Sequence, residues 1–216
     1  MSSPHIVIAI DGPAASGKST VAKALAKRLG FYYVNTGAMY RAVTWYVLKT
    51  GIDPCDTQQV VNLLKSMNFE AGLNGTNSMT LINGIDPSDH LSEPQVNQNV
   101  SAIAGISEVR HLLVEKQRQY LEYNNLVMEG RDIGSVVFPE TPFKFYVDAS
   151  PEVRANRRAL EGFRDEIDAR DRLDSSRKAS PLVISQDACV IDSSELTVDE
   201  VVQAVIDRLD LQGVGI

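Results

Sequence analysis

Gly12, Gly17, Lys18 and Ser19 satisfy the spacing G-x-x-x-x-G-K-S. Glycines at these positions permit a turn tight enough for successive backbone N–H groups to face one anion. The lysine then places an ammonium near β- and γ-phosphates, and the serine hydroxyl can ligate Mg²⁺. The whole stretch, Gly12, Pro13, Ala14, Ala15, Ser16, Gly17, Lys18, Ser19 and Thr20, therefore reads as a cradle for a nucleotide's phosphates. Its flanks agree: "HIVIAI" before it suits a buried strand, and "KSTVAKALAKRLG" after it suits a helix stopped by Gly30. A strand, a glycine loop and a helix aim a helix N-terminus at phosphate.

Arginine is the second chemical resource. Seven of the chain's 13 arginines lie between Arg154 and Arg177. Arg170, Asp174 and Arg177 are spaced i, i+4, i+7, one stripe of a helix, on which guanidinium groups could grip a phosphate while the carboxylate takes a ribose hydroxyl. Six acids share the segment, so a solvated helical face laced with ion pairs is the competing reading. Arg41, in "TGAMYR", and Arg131, in "EGRDIG", stand where strands are expected to end. This clustering contrasts with a formal net charge of -7, which argues against a nucleic-acid polymer or an anionic membrane surface and suits a small polyanion. An acceptor phosphate is already ionised near neutral pH and needs no general base, whereas a hydroxyl acceptor normally wants one. Many arginines and no placed histidine favour the phosphate acceptor, with an aspartate still open as a base. His5, His90 and His111 fall into no catalytic arrangement.

These groups need a scaffold. Strands are expected at 31–35, in "LVME", at 143–149 and in "ACVIDSS", in addition to the first. Helices are expected over "TGAMYRAVTWYVL" with Thr36 as cap, over 56–67, over "EPQVNQNVSAIAG" and "SEVRHLLVEKQRQYLEY", and at the C-terminal end with Val201, Val205 and Leu209 on one stripe. Alternation of this kind gives an α/β fold, a five-stranded parallel sheet flanked by helices, with ligands at the carboxyl ends of the strands. Two Asn-Gly pairs, Asn74-Gly75 and Asn83-Gly84, separate short strand-like runs and predict a small inserted antiparallel lobe. With 44% hydrophobic and 23% charged residues the chain is an ordinary globular domain. No apolar run reaches the length of a membrane span, no basic-then-apolar leader opens the chain, and Cys55 and Cys189 are far apart without metal spacing. A cytoplasmic monomer is expected, as no large apolar face stands out.

With these residues in hand, the chain resembles the bacterial cytidylate kinases, nucleoside monophosphate kinases of the P-loop group. The resemblance is carried in order by "IDGPAASGKST", "NTGAMYR", "EGRDIGSVVFP", "RDRLDSSRKASPL" and "DACVIDSSELTVDEVV", and spans essentially the whole chain. It implies a single P-loop kinase domain over 1–216: core 1–61 and 106–216, an NMP-binding insert at about 62–105 and a short helical lid at about 154–177. It implies transfer of the ATP γ-phosphoryl group to CMP and dCMP, with Mg²⁺ on Ser19. Lys18, Arg131, Arg158 and Arg170 would act on the transferring group. Thr36, Gly37, Tyr40, Arg41, Gly130 and Arg131 would surround the acceptor, and Arg170, Asp174 and Arg177 its ribose and phosphate. Ser101, Arg110 and Asp132 would read cytosine, a carboxylate suiting its amino group and a guanidinium its acceptors. Each has a plain structural alternative: Ser101 at the surface, Arg110 in an ordinary ion pair, Asp132 capping a short helix. Arg154, Arg157 and Arg158 would belong to the lid, which is shorter here between Arg158 and Arg170 than in many relatives; which of Arg157, Arg158 and Arg164 reaches the phosphoryl group stays open. Glu129 is left as a metal-side acid or a strand's polar end. The competing activities are kinases for UMP, AMP or a hydroxylated metabolite. A GTP switch would need an Asn-Lys-x-Asp motif, which the sequence lacks.

Overall fold

The computed structural model describes residues 5–160 and 182–214. Arg164, Arg170, Arg172, Asp174 and Arg177 lie outside the described residues, and the expected lid is described only up to residue 160. Strands β1 (Val7–Asp11), β2 (Tyr32–Asn35), β3 (Phe69–Asn74), β4 (Asn77–Ile82), β5 (Leu126–Gly130), β6 (Lys144–Asp148) and β7 (Cys189–Asp192) form one sheet in the order β3-β4-β2-β5-β1-β6-β7. Helices are α1 (Lys18–Leu29), α2 (Thr36–Lys49), α3 (Thr57–Ser66), α4 (Pro94–Ala104), α5 (Ser107–Gln119), α6 (Pro151–Leu160) and α7 (Val198–Leu211). Among the described residues no helix is long and apolar enough to cross a membrane.

The strand period of two divides the core. Along β1, Val7 and Ala9 join one apolar cluster with β5 residues Leu126 and Met128 and with side chains of α2, α4 and α5. Ile8 and Ile10 join the other with Val127, Phe145, Val147 and the stripes of α1 and α7, among them Val21, Leu25, Val205 and Leu209. Both faces of the central strands are thus covered, and loops with chemistry can emerge only at strand ends.

Among the described residues the sheet has seven strands, the five expected parallel ones and the inserted antiparallel pair, which extends the same sheet. Five strands, β2-β5-β1-β6-β7, run parallel, as alternation demands. The antiparallel pair β3–β4 then adds to the β2 edge through one parallel register position, Tyr33 opposite Asn77. Tyr33 N–H donates to the Thr76 carbonyl at 2.8 Å, and Asn35 N–H donates to Ser78 Oγ at 3.1 Å. Asn83 and Gly84, both with positive φ (50° and 76°), make the tight turn expected of Asn-Gly, bridging Ile82 to Ile85. The expected cap of α2 is corrected. Asn35, not Thr36, caps the helix, its Oδ1 accepting from Ala38 N–H at 2.9 Å.

A short 3-10 turn, Tyr120–Glu122, follows α5 and ties it to the hairpin. The buried Tyr120 hydroxyl lies 3.1 Å from the Gly72 carbonyl and 3.2 Å from that of Met79, one on each hairpin strand. Tyr120→Phe should lower stability by about 1 kcal/mol, the usual net worth of such a bond. Urea unfolding should show the midpoint falling with an unchanged slope.

Candidate active site

β1 runs directly into the glycine loop, which must pass close to β6. A side chain at Gly12 would put its Cβ 2.1 Å from the Val147 carbonyl oxygen, so only glycine fits there. Gly17 (φ 86°) sits in the left-handed region at the start of α1 and offers no side-chain cap. The Gly17 end of α1 thus has the form in which a helix N-terminus can receive an anion. The loop's carbonyls, by contrast, are occupied. Lys18 Nζ donates to Pro13 O at 2.9 Å, Arg154 to Ala14 O at 3.3 Å and Ser193 Oγ to Ser16 O at 2.9 Å. Ala15 also takes a positive φ (57°), an uncommon conformation for a residue with a Cβ.

Beside the loop lies a cavity of about 560 Å³. It brings together Ala14, Ala15, Gly17, Lys18, Ser19 and Thr20 from the phosphate loop with Thr36, Gly37, Tyr40 and Arg41 from α2. Ser101 of α4, Arg110 of α5, Gly130, Arg131 and Asp132 after β5, and Arg158 of α6 complete it. Gly12, Pro13 and Ser16 are buried behind the loop and do not line it. The described residues singled out for the acceptor therefore face one space, together with Arg158. Burial pushes the Arg41 guanidinium's pKa down, and Arg131 and Arg158 push the same way, while Glu129 and Tyr33 oppose. Crowded guanidinium groups are a site short of an anion.

At the far wall, Arg110 and Asp132 form a buried ion pair, and Arg110 also donates to Ala104 O at 3.3 Å and lies over the Tyr40 ring. Asp132 precedes one turn of π-helix, Ile133–Val137, but does not cap it with its side chain. That work falls to Asp11 at the end of β1. Its Oδ1 accepts from Ile133 N–H and its Oδ2 from Gly134 N–H, both at 2.8 Å. Burial pushes the Asp11 pKa from 3.8 up to about 6, against the two backbone N–H groups, which lower it; Asp132 adds to the rise and Arg131 opposes it.

Several contributions were invisible in the sequence. Glu129, left undecided there, is buried at the cavity wall and accepts from the Tyr33 hydroxyl at 3.1 Å. Ser88, Leu91, Ser92 and Asn97 also line the cavity. Asn97 and Ser101 sit one turn apart on α4, a polar i, i+4 pair opposite buried apolar neighbours, and that spacing was the available signal. Of the arginines expected in a lid, Arg154 reaches the loop and Arg157 reaches Ser193. Arg154 is buried and donates to Ala149 O and Ala14 O, while Arg157 donates to Ser193 Oγ and O. Arg158 is the one of the three that lines the cavity. A second cavity, about 270 Å³, opens on the loop's other side between Gly17, Thr20, Arg157, Ser193 and the apolar Val21, Leu196 and Val201. Among the described residues no group of three or more His, Cys, Asp or Glu could hold a metal.

Comparison with known proteins places this geometry in context. Residues 8–211 match the model of the Cytidylate kinase family. A cytidylate kinase of Clostridium botulinum is 46% identical over 211 residues, covering 93% of this chain and 95% of that one. One of Caldanaerobacter subterraneus is 45% identical, covering 94% of each. Among solved structures, a gluconokinase from Sinorhizobium meliloti superposes with a TM-score of 0.51 at 13% identity, covering 97% of this chain and 95% of that one, a likeness of fold alone.

Asp11 generates a stability prediction. Its pKa is higher folded than unfolded, so its contribution to stability is complete below pH 3.8 and is lost as pH rises through about 6. A shift of this size is worth about 3 kcal/mol. Asp11→Asn cannot ionise, so the stability advantage of the natural chain over the variant should shrink from pH 4 to pH 7 and then level off. Paired thermal melts across that range measure it.

Proposed function

Because the chain belongs to the cytidylate kinase family, we propose that it transfers the γ-phosphoryl group of ATP to CMP, and to dCMP, giving the diphosphate and ADP. The observation that carries this reading is the buried Arg110–Asp132 pair in the same cavity as the phosphate loop, with Arg41, Arg131 and Arg158 sharing that space. Cytosine offers an amino donor and two acceptors. Asp132 takes the amino group, Arg110 the acceptors, and Ser101 joins them. Uracil reverses the pattern and leaves buried polar groups unpaired, at about 1–3 kcal/mol each.

The residues divide the work. Gly12 to Thr20 hold the ATP phosphates on loop N–H groups, and Lys18 moves from Pro13 O to the transferring phosphoryl. The donor's base occupies the second cavity, against Val21, Leu196 and Val201. Arg41 and Arg131 fix the acceptor phosphate, with Thr36, Gly37, Tyr40 and Gly130 shaping its bed. Arg158 meets the charge that spreads over the phosphoryl oxygens as one P–O bond forms and the other breaks. Arg170, Asp174 and Arg177 complete the acceptor's ribose and phosphate contacts. Catalysis of this kind is mostly positioning and cationic stabilisation. Mg²⁺ fits as a companion of the nucleotide: Ser19 is exposed on the cavity wall, and an ion held mainly by phosphates and water needs no carboxylate cage. Ser19 would help hold it, and it would supply positive charge against the phosphates.

A hydroxyl acceptor is less well served. It would want a free base, and the cavity's carboxylates are engaged, Asp132 with Arg110 and Glu129 with Tyr33. The two free cysteines, Cys55 and Cys189, accord with the cytoplasm, where we place the chain as a monomer.

An ADP-release assay over CMP, dCMP, UMP, AMP and shikimate should rank CMP first, and Asp132→Asn should lose more rate with CMP than with UMP. CMP no better than AMP would refute the substrate assignment. Lys18→Ala should abolish turnover, by about a thousandfold or more on the scale of lost transition-state charge stabilisation, while calorimetry finds CMP binding within about twofold of normal.

A further inference from the structure

We propose that Asp11 is a positioning residue for the acceptor side of the reaction, holding from the end of β1 the turn that aims Arg131 and Asp132 into the cavity. The inference rests on the phosphoryl-transfer reading above and deepens it, since Asp11 neither lines the cavity nor belongs to the phosphate loop.

The argument begins with an unmet need. A π turn that opens at Ile133 leaves N–H groups at its start, and the residue placed to cap them is Asp132. Were Asp132 to cap the turn, its carboxylate would leave Arg110 and turn away from the cavity. Asp11 removes the conflict. Its two oxygens accept the Ile133 and Gly134 N–H groups at 2.8 Å each, so the Asp132 carboxylate is released to pair with Arg110. Gly134 lets Lys144 pack against the turn: a Cβ there would lie 3.0 Å from Lys144 Cγ. The other end of the turn is held as well. Arg118 of α5 donates from Nε to Val137 O at 2.8 Å and from a terminal nitrogen to Val136 O at 3.0 Å. The turn is therefore clamped at its N–H end by a carboxylate and at its carbonyl end by a guanidinium. Arg131 and Asp132 sit immediately before it.

Asp11 is also bonded through its own peptide to Gly12, the first residue of the phosphate loop. One strand end thus anchors the donor's cradle covalently and the acceptor's turn by hydrogen bonds. The distance between the two phosphate sites is set there.

Asparagine is the sharp test, because it keeps the volume but offers one oxygen acceptor and turns an NH₂ donor toward a backbone N–H. Asp11→Asn should raise KM for CMP about tenfold and lower the CMP-over-UMP preference about fivefold, with KM for ATP within about twofold, consistent with the cost of small displacements in a positioned site. Arg118→Gln, at the opposite end of the turn, should give the same pattern more weakly. If KM for ATP rises with KM for CMP, or if kcat alone falls with the CMP preference intact, Asp11 serves the phosphate loop or the general fold and the proposal is lost. Should the Asp11 variant fail to fold, the Arg118 variant decides by the same two criteria. A natural chain with no preference for CMP would instead overturn the substrate assignment, so the two failures are distinguishable.

Discussion

Positive charge has to be packed densely at the ends of β1, β2 and β5, in a protein whose net charge is negative. Arg41, Arg131, Arg158 and Lys18 share one cavity, and Arg131 and Arg158 both disfavour the charge of Arg41. Such crowding persists because the rest of the fold holds the side chains in place. A covered parallel sheet fixes where loops emerge, and backbone bonds fix where each loop points. A polyanionic ligand then gains from repulsion that it relieves, which is why arginines here are worth more to binding than they would be scattered over a surface.

Preorganisation follows one rule on both sides of this cavity: backbone groups that should not meet the ligand are given other partners. In the glycine loop, Lys18, Arg154 and Ser193 occupy three carbonyls that face the cradle proposed for phosphate. In the π turn the polarity is handled from both ends, with Asp11 on the amides and Arg118 on the carbonyls, so that Asp132 stays with Arg110. Arg154 and Arg157 belong to this same logic. Arg154 carries α6 onto the loop through Ala14 O, while Arg157 holds Ser193 at the edge of the second cavity.

What the sequence disclosed and what it hid follow from range. The glycine loop was legible because its chemistry is local: four residues at fixed spacing, with a strand and a helix on either side. The five parallel strands were legible because alternation of elements is a long, repeated pattern. The attachment of the hairpin was not, since a single register position, Tyr33 with Asn77, leaves no periodic trace. The bonds from Asp11 to Ile133 and Gly134 span 122 and 123 positions, and no local pattern marks an aspartate beside a glycine loop as the cap of a distant turn. The partner of Arg154 was hidden for a related reason. An arginine on an amphipathic helix can face solvent, ligand or a carbonyl, and the choice rests on Ala14 O, 140 positions away.

The cost of this arrangement is visible in Asp11. A carboxylate held in a buried position, with its pKa raised, lowers stability at neutral pH. A neutral hydrogen-bonding side chain would avoid that penalty but could not accept two N–H groups with both of its terminal atoms. The carboxylate is thus the group that satisfies both amides while leaving Asp132 its charge for the far wall. A desolvation cost of this kind, carried by a buried group so that a neighbour can face the cavity, accords with the proposed site, in which two anions are brought to a fixed separation. Stability is surrendered at the end of β1 because that strand end is where the two halves of the cavity meet.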